Sequence, residues 1–274
     1  MIRSVSAFLL VVLGFASCSP NNVTEDKSLE KYFRDNRVTG SFGMFDNGQG
    51  HFTLSNISQF TDSMYLPAST FKIINSLIGL ETGAVQDSAS ILPFDSTRSY
   101  RAECKGEMNM YNAFRISCPN WYQELADQIG KPAMQKWLDT LGYGQRKERF
   151  VIGNNLDTFW LDNTVKITGD EQLGLVKKLY FDQLPFSKRS QRIVRNMMLW
   201  ENNSNYQLAY KTGWGIDENK NQVGWIIGWI EENKHPYFFS LQVKSPDANI
   251  DMKAIRLNIL KGILAEYGFM EGKK

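Results

Sequence analysis

The chain has 274 residues, 42% hydrophobic and 22% charged, with a formal net charge of +2. That composition is ordinary for a globular protein, and the length suits one large domain or two intimate ones. Basic residues (31) and acidic residues (29) are interspersed, so nothing favours a nucleic-acid or acidic partner.

Residues 1–17 read as a secretory signal peptide. Arg3 is followed by "VSAFLLVVLGFAS", an apolar run too short to cross a bilayer that ends in small residues. Cys18 comes next, in "FASCSP", which resembles the lipobox of bacterial lipoproteins, although Phe15 stands where leucine is usual. Lipidation of Cys18 and plain signal cleavage both remain open. Either implies an exported, periplasmic protein, whose membrane contact would be confined to a lipid on Cys18. Residues 18–30 are expected to form a polar tether, and residues 31–274 a single domain.

"GSFGMFD" and "HFTLSN" flank "NGQG", a hairpin pattern. In "PASTFKIINSLIGLE", Pro67 opens an apolar helix that carries Ser69 and Lys72. From there to about Trp200 the pattern is mostly helical. "NWYQELADQIG" has helical spacing and ends in glycine, and "KPAMQKWLDTLGYG" runs from Pro132 to Gly142. "GDEQLGLVKKLYFDQL" and "SKRSQRIVRNMML" are two more helices. Near residue 206 the period changes. "YQLAYKTGWG", "QVGWIIGWIEE" and "PYFFSLQVKS" read as strands, and "DMKAIRLNILKGILAEYGF" as a closing amphipathic helix with Met252, Ile255, Ile259 and Ile263 on one face. The fold expected is α+β, with the N-terminal hairpin and late strands in one antiparallel sheet. A mainly helical lobe then packs beside it, leaving a cleft between the two.

Ser69 and Lys72 share a helix face at the positive end of the helix dipole. A serine hydroxyl needs a base, and a lysine serves if burial keeps it neutral. The spacing alone proves little, since "SLEK", Ser28 to Lys31, repeats it, and a helix-capping serine before an exposed lysine looks the same. "KTGWG", Lys211 to Gly215, offers a lysine, a hydroxyl and a glycine on a strand, a set suited to a carboxylate. The histidines, His51 and His235, have no zinc-ligand spacing, so no metal is expected. Cys104 and Cys118 would be free to pair in an exported protein, but one sequence does not fix connectivity.

Ser-x-x-Lys followed by Lys-Thr-Gly is a pattern of penicillin-recognising serine enzymes. With "SCPNWYQELADQIG", "LGYGQ", "NNLDTFWLDNTVKIT", "SKRSQRIV" and "VGWIIGWIE", the chain resembles the class D, oxacillinase-type serine β-lactamases from about Ser41 to the last helix. The resemblance implies that Ser69 attacks a β-lactam carbonyl. It also implies that Lys72 takes up CO2 as N6-carboxylysine and serves as general base, with the Trp160 indole donating to it. No other cofactor is implied. Ser117 would pass a proton to the leaving nitrogen, with Lys211 beside it. Thr212, Gly213 and Arg256 would receive the substrate carboxylate, and the Ser69 and Trp214 amides would form an oxyanion hole. Two positions depart from the family pattern. Pro119 replaces a valine that, with Leu161, gates the deacylating water, and Gln145 replaces asparagine in the third motif. The alternatives are a penicillin sensor that acylates without turnover, or a peptidoglycan transpeptidase or carboxypeptidase. The spectrum of substrates and the oligomeric state are not readable.

Overall fold

A computed structural model describes residues 22–98 and 101–274. The leader and Cys18 lie outside the described residues. The chain begins with strand β1 (Val23–Glu25) and helix α1 (Glu30–Asp35). The expected hairpin follows as β2 (Thr39–Asp46) and β3 (His51–Ser55), then α2 (Ile57–Asp62). A 3-10 turn, Ala68–Phe71, leads into α3 (Lys72–Thr82). The helical lobe continues through a short ribbon, β4 (Ile91–Leu92) and β5 (Met108–Asn109). After it come α4 (Met110–Arg115), α5 (Pro119–Ile129), α6 (Lys131–Leu141), α7 (Gly169–Tyr180) and α8 (Lys188–Met198). The chain then returns to the sheet with β6 (Leu199–Asn202), β7 (Gln207–Ile216), β8 (Gln222–Glu232) and β9 (His235–Ser245), and closes with α9 (Met252–Glu266).

One sheet of seven strands, in the order β1-β3-β2-β9-β8-β7-β6, unites the two ends of the chain as expected. Its pairs are antiparallel except β1 with β3, which is parallel. That pairing moves the start of the fold. Val23–Glu25 lies in the sheet and Leu29 is fully buried, so the expected tether of residues 18–30 gives way to folded structure from Val23. The middle is also less helical than its composition suggests, because two long connections, 83–109 and 142–168, interrupt it.

Both faces of the sheet are covered, and β8 shows why it reads as a continuous apolar run. Its Trp225, Ile227 and Trp229 join the core beneath the helical lobe. The alternate residues Ile226 and Ile230 pack in a second core with Met252, Ile259 and Ile263 of α9. Ile255 of that helix is only half-buried. Helix starts follow capping chemistry. Pro119 occupies the first turn of α5. Thr168 and Glu171 exchange hydrogen bonds at the start of α7.

Candidate active site

The helical lobe supplies α3 as its centre. Every residue from Lys72 to Leu80 is buried, so the charged head of Lys72 has nowhere solvated to go. The 3-10 turn before it has three residues per turn, which eclipses positions three apart. Lys72 Nζ accordingly lies 3.0 Å from Ser69 Oγ. The other Ser-x-x-Lys has a different fate: Ser28 hydrogen-bonds Asp26, and Lys31 pairs with Glu266 at the surface.

Burial drives the Lys72 pKa down to about 7, with the Arg101 cation adding to the effect. Around it, Nζ lies 5.1 Å from the centre of the Tyr122 ring. Trp160 is fully buried and stacks on Phe71 at 5.1 Å. Phe159 packs edge-on against both rings. The Trp160 indole N–H has no hydrogen-bond partner among the described residues. The carbonyl of Trp160 accepts the Ala68 N–H at 3.0 Å, which ties the 142–168 connection to the residue before Ser69. Leu161, half-buried, packs against the same core.

Ser117 sits in the hinge between α4 and α5, in left-handed backbone at φ 62°. Lys211 reaches it from β7, donating to Ser117 Oγ at 2.6 Å and to the Thr212 carbonyl at 3.1 Å. Burial holds the Lys211 pKa well below the usual lysine value, reinforced by Lys72, Arg256, Arg101 and Arg115. No carboxylate pairs with Lys72 or Lys211 among the described residues.

Gly213 explains how β7 comes so close to the Ser69 turn. A Cβ there would lie 2.8 Å from the Pro67 carbonyl and 3.3 Å from the Thr70 nitrogen. Arg256 reaches the same strand from α9, donating to the Gly213 carbonyl. It is 6% exposed, its Nε has no partner among the described residues, and burial lowers its pKa to about 10. Thr212 is half-buried. Trp214 stands at the mouth, 47% exposed, with its indole donating to Gln222 at 2.9 Å. Gln145 binds the end of α6 through the Leu138 carbonyl and Asp139 carboxylate, a structural task.

The residues expected at the site thus converge from α3, the α4–α5 hinge, the 142–168 connection, β7 and α9. Three partners had no local signal. Tyr122 lies behind Lys72. Arg101 donates to the carbonyls of Ile116 and Ser117 at 2.5 and 3.1 Å. Cys104 is joined to Cys118 in a disulfide, their Cα atoms 5.6 Å apart. These contacts bridge residues 14 to 50 positions apart, beyond the reach of any spacing rule.

Comparison with known proteins agrees with this geometry. The penicillin binding protein transpeptidase domain matches residues 24–265. β-Lactamase OXA-48 of Klebsiella pneumoniae is 35% identical over 268 residues, 97% of each chain. The crystal structure of the class D β-lactamase YbXI from Nostoc superposes with a TM-score of 0.82 at 32% identity, covering 89% of this chain and 100% of that one. FUS-1 (OXA-85), a class D β-lactamase from Fusobacterium nucleatum subsp. polymorphum, superposes equally well, with a TM-score of 0.82 at 29% identity over 90% of this chain and 100% of its own. The chain belongs to the penicillin binding protein transpeptidase-domain family and, within it, to the class D serine β-lactamases.

Proposed function

We propose that the protein hydrolyses β-lactam antibiotics through an acyl-enzyme on Ser69, and so confers resistance to them. The observation that carries this reading is a fully buried lysine 3.0 Å from a serine hydroxyl. Lys72 loses its proton near pH 7, so at neutral pH a neutral amine is placed to take the Ser69 proton as Oγ attacks the lactam carbonyl. As the C–N bond breaks, Ser117 is placed to hand its proton to the departing nitrogen, with Lys211 restoring it. Thr212 and Arg256 receive the substrate carboxylate, and water then releases the product acid from Ser69. The Ser69 and Trp214 amides stand as the oxyanion hole, each donor worth about 3 kcal/mol in such sites.

Carboxylation of Lys72 fits the residues present. Burial lowers the Lys72 pKa so that neutral amine is present near pH 7, as reaction with CO2 requires, and the Trp160 indole, without a partner among the described residues, is a donor in need of an acceptor. The carbamate so formed would supply an anionic general base. The leader and Cys18 support export, with a lipid anchor as the proposed form of membrane attachment.

Steady-state hydrolysis of a penicillin, a cephalosporin and a carbapenem, with and without bicarbonate, tests the reading. Repeated turnover is expected, rising with bicarbonate. It should fall as pH drops through about 7, because protonated Lys72 neither takes CO2 nor accepts a proton. The Ser69→Ala protein should fold and show no hydrolysis. Activity in that variant, or a single stoichiometric burst from the native protein, would overturn the proposal.

A further inference from the structure

Cys118 follows Ser117 directly, and the reaction outlined above has no use for its sulfur. Three constraints nevertheless converge on this one hinge from the segment 101–104. Cys104 is bonded to Cys118, both fully buried. Arg101 donates to the carbonyls of Ile116 and Ser117. Arg101 also fixes the segment's own turn, because its carbonyl accepts the Cys104 N–H at 2.8 Å. What they hold is costly to hold. Ser117 is not glycine, yet it stands at φ 62°, between helices of only 6 and 11 residues. Left-handed backbone at a non-glycine residue persists only where its surroundings over-determine it.

We infer that the Cys104–Cys118 disulfide, with Arg101, is a positioning clamp for Ser117, and that full acylation activity requires this pair to be oxidised. The inference rests on the β-lactam reading of the site. The bond forms by thiol–disulfide exchange with a small-molecule disulfide such as oxidised glutathione. One cysteine thiolate attacks the glutathione disulfide and releases one glutathione thiolate. The second cysteine thiolate then attacks the mixed disulfide and releases the other. Two electrons pass to glutathione, and the two cysteine protons end on the two glutathione thiolates. The chemistry suits an exported protein, which folds where such disulfides persist. Burial of both sulfurs then shields the bond from later reduction. Cys104 and Arg101 touch neither substrate nor Ser69 in this scheme; the disulfide acts through Ser117 Oγ and its 2.6 Å contact with Lys211, and Arg101 does so too, besides the effect of its charge on Lys72.

The test compares protein refolded with oxidised glutathione against protein refolded with a reductant, thiol content being checked by alkylation and intact mass. A fluorescent penicillin reports the acylation rate constant and the initial binding constant at 10 °C, on samples whose folding is verified by circular dichroism. The reduced form should acylate at least ~10-fold more slowly, with initial binding changed less than ~2-fold, as a small misplacement of a reacting group predicts. Reoxidation should restore the rate. The C104A/C118V double variant, which keeps the volume near Ser117 apolar, should match the reduced form under both conditions. If the disulfide were merely a stability staple, its reduction would lower the melting temperature and leave acylation at 10 °C unchanged, and that result overturns the inference alone. Absence of acylation in both forms would overturn the β-lactam reading and this inference with it.

Discussion

At the scale of single residues, the site is organised around groups whose ordinary partners are missing. Among the described residues, Lys72 and Lys211 are buried amines without a carboxylate, and the Trp160 indole is a buried donor without an acceptor. An anion on Lys72 would offer the Trp160 indole an acceptor. Trp160→Phe keeps the ring that stacks on Phe71 and removes only the N–H. A hydrogen bond to a charged group contributes about 1.5–3 kcal/mol. The bicarbonate concentration for half-maximal activity should therefore rise roughly 10- to 100-fold in a folded variant. A bicarbonate titration of initial rates checks this, and an unchanged midpoint would remove Trp160 from the role. These residue types were legible in the sequence because each stands inside a short motif. The pair Ser28 and Lys31 shows the limit of that method. It has the same spacing as Ser69 and Lys72, but Lys31 sits at the surface beside Glu266. Burial, and not spacing, is what lowers the Lys72 pKa.

At the scale of elements, the decisive contact is β7 against the 3-10 turn that bears Ser69. Gly213 is the point of closest approach, and its nearest neighbour, the Pro67 carbonyl, is a backbone group that cannot swing aside. Gly213→Ala should push strand and turn apart. A displacement near 1 Å at a reacting centre costs about 100-fold, so kcat/KM should fall by at least ~100-fold. Overpacking of this kind also destabilises by roughly 1–3 kcal/mol. Kinetics and thermal melting of the variant measure both. The β7, β8 and β9 strands and most helices were readable because periodicity and capping are local signals. Strand β1 was not, since three partly exposed residues acquire their structure only by pairing with β3. The pairing of Cys104 with Cys118, left open by the sequence, is settled only by contacts between distant segments, and Pro119, read as a departure from a gate, is seen to open α5. By closing a loop across 14 positions, the disulfide adds about 3 kcal/mol of stability, mainly by restricting the unfolded chain.

At the scale of the molecule, both ends of the chain build the sheet and the middle builds the lobe that completes the site. The two hydroxyls proposed to act in the reaction share one backbone peculiarity. Ala68, just before Ser69, and Ser117 itself both adopt left-handed backbone, at φ 48° and 62°. Each such residue costs about 1–3 kcal/mol. Contacts from far along the chain help to hold them: the Trp160 carbonyl for Ala68, and for Ser117 the bond from Lys211 beside the Cys104 and Arg101 clamp. The contact of Lys211 with Ser117 can form only once the lobe has docked on the sheet. The active site is therefore a late event in time as well as a place in space. On dilution from denaturant, far-UV circular dichroism should recover before the capacity to be acylated by a fluorescent penicillin. Simultaneous recovery of the two signals would show that these turns form early, on their own. Between those two moments the molecule would have its sheet and helices, and no means of reacting with a β-lactam.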